Sequence, residues 1–124
     1  MVVARAWRWD EERLRHDAEV DHADQLANGV STPDYSVSVF AQLGDDPNDP
    51  DVRAALMQKM RDAPLRSRWV SFTTSDRLAD AGFLIRLNEP PPAHHDVVLG
   101  TVLAPDDVVQ LASIFGEYER QKFQ

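Results

Sequence analysis

Three apolar runs between Arg68 and Leu103 constrain this chain most: Trp69-Val70-Ser71-Phe72, Phe83 to Leu87, and Val97 to Leu103. Short runs rich in Val, Ile, Phe and Trp, bounded by turn residues, predict strands. Ser75-Asp76 and Gly82 interrupt the first gap, and Asn88 to His95 with Pro90-Pro91-Pro92 fills the second. Strands this close together pair antiparallel, so the stretch reads as the centre of a sheet.

Upstream, Tyr35 to Leu43 gives the cleanest alternation. Tyr35, Val37, Val39, Ala41 and Leu43 share one face, and Ser36, Ser38, Phe40 and Gln42 share the other. That pattern predicts a strand internal to the sheet. Residues 2–9 predict a first strand of imperfect alternation, placed at an edge.

Three helices complete the expectation. Asp10 caps the first, with Glu11 and Glu12 in its first turn, and Asn28-Gly29 stops it. His16, Val20, Ala23 and Ala27 form its apolar strip, with His16 as a packing residue. Asp49 caps the second, with Pro50 at its first position and Pro64 at its end. Val52, Ala55, Leu56, Met60 and Ala63 keep helical spacing in it, and Lys59 snorkels from that strip. Ala104-Pro105-Asp106-Asp107 opens the last helix, whose stripe is Val108, Leu111, Ala112, Phe115 and Tyr118. Gly116 inside that helix would cost about 1 kcal/mol against Ala. The tail beyond Tyr118 is expected to fray.

The expected fold is therefore one α+β domain over residues 1–124. Its sheet is mostly antiparallel, of four or five strands in the order β-α-β-α-β-β-β-α, with about three helices on one face. At 43% hydrophobic and 27% charged residues, the chain has the balance of a folded globule rather than a disordered one.

Composition also narrows function. Without cysteine, disulfides and thiolate metal sites are excluded, which fits a cytoplasmic protein. A net charge of −8 repels phosphate backbones and argues against nucleic acid. No run is long enough to cross a membrane, and the N-terminus lacks a secretory signal's pattern. Basic residues come as 11 Arg against 2 Lys, a usage that points to a GC-rich bacterial source.

Candidate chemistry comes in four groups. His94 and His95, followed by Asp96, are the nearest thing to a metal site, but neighbours on a strand would face apart, so they could share an ion only from a loop. His16 and His22 lie six apart on a helix and face different ways. The acidic stretch Asp45 to Asp51 fails the calcium-loop pattern, because position six holds Asp51 or Pro50 rather than Gly. No metal or other cofactor is expected. Asp10, Asp17, Asp21 and Asp24 fall within about 60° on the first helix and form a like-charged stripe, the expected surface for a basic partner protein. Reversing Asp17 and Asp21 to Lys is expected to leave folding nearly intact.

Phe72-Thr73-Thr74-Ser75 and the later Glu117-Tyr118-Glu119 are similar to two motifs of the ADP-ribosyltransferases. That family carries Ser-Thr-Ser on a strand, Glu-x-Glu or Gln-x-Glu further on, and an early Arg, for which Arg8 is the match. The resemblance implies catalytic roles for Arg8, Thr73, Ser75, Glu117 and Glu119. Thr73 stands where the family has its first Ser. Glu117 and Glu119, read as helical, would lie about 200° apart and could not converge.

The leading expectation is a small acidic protein that works by protein–protein binding, an inhibitor of the immunity or antitoxin type or an accessory subunit, and not an enzyme. The alternatives are a small ADP-ribosyltransferase-like enzyme and a small-molecule binding domain whose pocket is lined by Trp7, Trp9 and Trp69. Self-association is left open.

Overall fold

The computed structural model of the chain describes residues 1–6, 10–64, 67 and 69–115, together with the backbone of 119–120. The elements run β1 (Val2–Ala6), α1 (Glu11–Ala27), β2 (Tyr35–Gln42), α2 (Pro50–Asp62), β3 (Trp69–Thr74), α3 (Ser75–Asp80), β4 (Leu84–Leu87), β5 (His94–Gly100), α4 (Pro105–Ile114) and β6 (Glu119–Arg120). They build one sheet in the order β4-β5-β2-β1-β3-β6, antiparallel at every pairing. The fold is α+β, with five main strands, a two-residue sixth and four helices.

β2 is internal, between β5 and β1, as its alternation predicts. Val37, Val39 and Ala41 enter one core with Leu14, Val97, Val108, Leu111 and Phe115, while Phe40 points into the other. β1 is not at an edge. It lies between β2 and β3, and all five of its residues are buried. Val3 joins the first core, and Val2, Ala4 and Ala6 join the second. A strand covered on both faces has no polar side to alternate, which is why its pattern looked imperfect.

Helices cover both faces, not one. α1, α3 and α4 supply Leu14, Ala18, Leu78, Val108 and Leu111 to the first core. α2 lies on the opposite face, where Leu56, Met57 and Met60 pack on Val2, Ala4, Phe40 and Val70. Asp49 caps α2 by accepting from the Asp51 and Val52 amides, and Pro50 sits at its first turn. Phe115 is 3% exposed, as expected of the anchor of its stripe.

Several boundaries differ from the sequence expectation. β5 starts at His94 and ends at Gly100, so Thr101 to Leu103 lie beyond it. Thr74 accepts from the Arg77 amide and opens the unexpected α3. α4 ends at Ile114 with Phe115 as its cap; Gly116 and Tyr118 lie outside the described residues. Glu119–Arg120 form β6 on β3, not a frayed helical tail. Among the described residues no helix is long and apolar enough to cross a membrane.

Candidate binding site

β1 and β2 part company at one point. Their ladder runs from Val2–Gln42 to Ala4–Phe40 and stops, while β1 stays paired with β3 as far as Ala6–Val70. On the edge away from β5, the first half of β2 therefore meets α1 instead of β1. Arg5 sits at the fork. Its Nη1 donates to the Ser38 carbonyl at 2.8 Å, and its Nη2 donates to the Asp17 carboxylate. Arg13 donates to Asp17 from within α1, at 3.1 Å.

The seam continues along both elements. Ser36 Oγ donates to Asp21 Oδ2 at 2.7 Å. The Gln25 amide donates to the Asp34 carbonyl at 2.9 Å and accepts from the Asp34 amide at 3.2 Å. It thereby makes the pair of bonds that a neighbouring strand would make. Asp17, Asp21 and Gln25 are four apart on a helix, a rise of about 6 Å per step. Ser38, Ser36 and Asp34 are two apart on extended chain, about 6.6 Å per step. The two spacings nearly match, so three consecutive links form along the seam, the first of them through Arg5. The His22 ring stacks on Tyr35 beside them, with centroids 4.1 Å apart.

Burial pushes the Arg5 guanidinium down to about 10, and the Asp17 charge opposes that shift. It remains a cation at neutral pH. At the far end of the seam, the hydrogen bond from Arg86 holds Asp34 below its ordinary value, against its partial burial, and the Gln25 amide assists.

A cavity of about 410 Å³ opens along this fork. Arg5, Arg13, Asp17, Asp21 and Asp24 form its charged side. Ser36, Ser38, Phe40 and His94 come from the sheet, and Val20, Ala63 and Pro91 add apolar lining. His94 meets Phe40 edge-on, with centroids 5.6 Å apart, and its Nδ1 lies 2.7 Å from the Asn88 carbonyl. A carbonyl only accepts, so Nδ1 carries the proton.

Of the four aspartates of the predicted stripe, three line this cavity. Asp10 is elsewhere, capping α1 through the Arg13 amide at 2.8 Å. Asp17 and Asp21 are tied into the fold, so reversing their charge is expected to damage folding, contrary to the sequence expectation. Asp24 is exposed and makes no side-chain hydrogen bond or ion pair among the described residues.

The apolar strip expected to pack α1 points outward instead. Leu14 and Ala18 face the core, whereas His16, Ala23 and Ala27 are exposed, and Val20 is 46% exposed. The strip lies roughly 180° from Leu14 and Ala18 at 100° per residue. The helix turns polar Asp21 and Gln25 toward β2 because they complete its hydrogen bonds, a role that a search for apolar spacing does not detect.

The remaining candidates do not converge. His94 and His95 lie on β5 and face opposite ways, His95 donating from Nδ1 to the Ala93 carbonyl at 2.8 Å. They are not in a loop that could bring them to one ion. Among the described residues no group of three His, Asp or Glu side chains is placed to hold a metal. Thr73 is buried opposite Val3 on β3, and the Ser75 hydroxyl accepts from the Met1 amino group at 2.8 Å. Glu119 is in a strand rather than a helix, so the helical angle between it and Glu117 does not apply. Arg8 and Glu117 lie outside the described residues, as do Trp7 and Trp9. Trp69 does not line the cavity.

Sequence reasoning missed Arg5, Ser36 and Ser38. Arg5 did leave a signal: a single cation within Val2–Ala6 has to find a partner if that strand is buried. Comparison with known protein families, curated proteins and solved structures gives no match.

Proposed function

We propose that this protein works by binding another protein with a basic surface, as an immunity- or antitoxin-type inhibitor or an accessory subunit in a bacterial cytoplasm. The observation that carries the reading is the outer face of α1. At 100° per residue its exposed apolar residues Val20, Ala23 and Ala27 form one strip, with the exposed acids Glu12 and Glu19 on one side of it and Asp24 on the other. An apolar centre with a charged rim is the anatomy of a protein interface. The net charge of −8 favours a basic partner and would steer it in.

The experiment is affinity capture from the source organism followed by association kinetics. Glu19→Lys with Asp24→Lys should slow association at low salt, with the difference shrinking as salt rises. Neither side chain is bonded within the described residues, so folding should survive. A captured partner that associates with the variant at the wild-type rate would place the interface elsewhere.

A second reading is a small-molecule binding domain. The cavity of about 410 Å³, with Phe40 on its wall, falls within the roughly 300–1,000 Å³ usual for ligand pockets. Its charged lining supports the first reading more than the second.

A further inference from the structure

We infer that the cavity on the flank of α1 receives one basic side chain, a lysine or arginine, from the partner protein. This rests on the protein-binding reading above. The lining sets two guanidinium groups, Arg5 and Arg13, against three carboxylates, Asp17, Asp21 and Asp24. Among the described residues of the lining, one negative charge is left over. Asp17 is shared between the two arginines, so the excess falls on the other two acids. Both hydrogen bonds to Asp21 land on Oδ2, leaving Oδ1 for a donor from outside. The Asp24 carboxylate has no partner among the described residues. Asp21 and Asp24 are three apart on one helix flank, close enough to share one cation.

The rest of the cavity suits the stem of such a side chain. Phe40, Val20 and Pro91 offer apolar surface, and the Phe40 ring is a surface over which a cation is attracted. A bare divalent ion fits less well, because no third metal-binding side chain joins the two acids among the described residues. An anionic ligand is opposed by the net charge of the lining. The cavity also borders the exposed face of α1 through Val20, which belongs to both, so one partner surface can cover strip and cavity together.

The test uses the whole chain and defined probes. Nα-acetyl-lysine amide and its neutral analogue Nα-acetyl-norleucine amide, which keeps the four-carbon stem and lacks the ammonium group, are titrated separately while backbone amide shifts are followed by NMR. The lysine derivative should move Val20, Asp24, Ser38 and His94 together. Roughly tenfold weaker binding is expected for the norleucine derivative, and for the lysine derivative with Asp24→Asn. Circular dichroism confirms that the variant is folded. Equal affinity of the two probes, shifts scattered away from the cavity, or an unchanged affinity in Asp24→Asn would overturn the inference. A captured protein partner separates the two levels. A partner slowed by Glu19→Lys but binding Asp24→Asn as tightly as wild type defeats the cavity inference and leaves the protein-binding reading intact. Localised lysine binding with no protein partner recovered defeats the partner assignment and the reading on which it rests.

Discussion

Arg5 of β1 and Asp17 of α1 meet at the point where β1 leaves β2, and their ion pair takes over where the backbone ladder stops. Arg5 is 5% exposed and its guanidinium also donates to the Ser38 carbonyl, so one side chain joins two strands and a helix. Removing its counter-charge strands a buried cation. Asp17→Ala should therefore cost about 3 kcal/mol, toward the lower end for breaking a buried pair because Asp17 is partly exposed. Urea unfolding measures this. The double variant Arg5→Met with Asp17→Leu should recover much of the loss, and a single-variant loss under about 1 kcal/mol would show that the fork does not depend on the pair.

Gly44 makes a different kind of contact. Its φ is +154°, and a Cβ added there would lie 2.9 Å from Val52 Cγ2 on α2 and 3.3 Å from Cγ1. Val52 is β-branched and cannot swing aside freely. Gly44→Ala should lose roughly 1–3 kcal/mol through overpacking. Shortening Val52 to Ala in the same chain should make the added methyl less costly, a coupling that a double-mutant cycle detects.

Asp34 gives a pH signature of defined sign. Its folded pKa is held low, chiefly by Arg86, so the unfolded chain takes up its proton first as pH falls. The contribution to stability is present above the unfolded value of about 3.9 and is lost as pH drops through the folded value. Arg86→Gln should flatten the fall in stability below about pH 4 relative to wild type, with a small effect at pH 7 because the pair is partly exposed. Urea midpoints at pH 7 and pH 3 in both proteins test this, and an identical acid slope would contradict it.

Phe115 closes α4 against the first core. Phe115→Ala should cost about 3–5 kcal/mol in urea unfolding. A loss below about 1 kcal/mol would mean that the ring does not anchor that core.

How far the sequence reveals this fold depends on which faces are dry. β2 was legible because one side packs apolar residues while Ser36 and Ser38 lie on the other. β5 was misplaced by three residues because His94-His95-Asp96 looks like a loop. In the fold, Asp96 is buried and accepts from Asn88 at 2.8 Å, and His95 is satisfied by the Ala93 carbonyl. Polar residues with such partners enter a strand without an apolar signature. The site was partly legible for a similar reason. The spacing of Asp17, Asp21 and Asp24 placed them on one flank of α1, because helical geometry is local. Their partners Arg5 and Ser36 come from β1 and β2, and only the tertiary fold brings them there.

Binding of a basic partner to the outer face of α1 and its acidic flank has a kinetic signature. The most direct measurement is the association rate of the captured partner with wild type and with Glu19→Lys/Asp24→Lys, at low and high salt. The variant should associate more slowly at low salt, with the two proteins converging as salt screens the charges. Equal rates at low salt, with the variant folded as wild type, would contradict it.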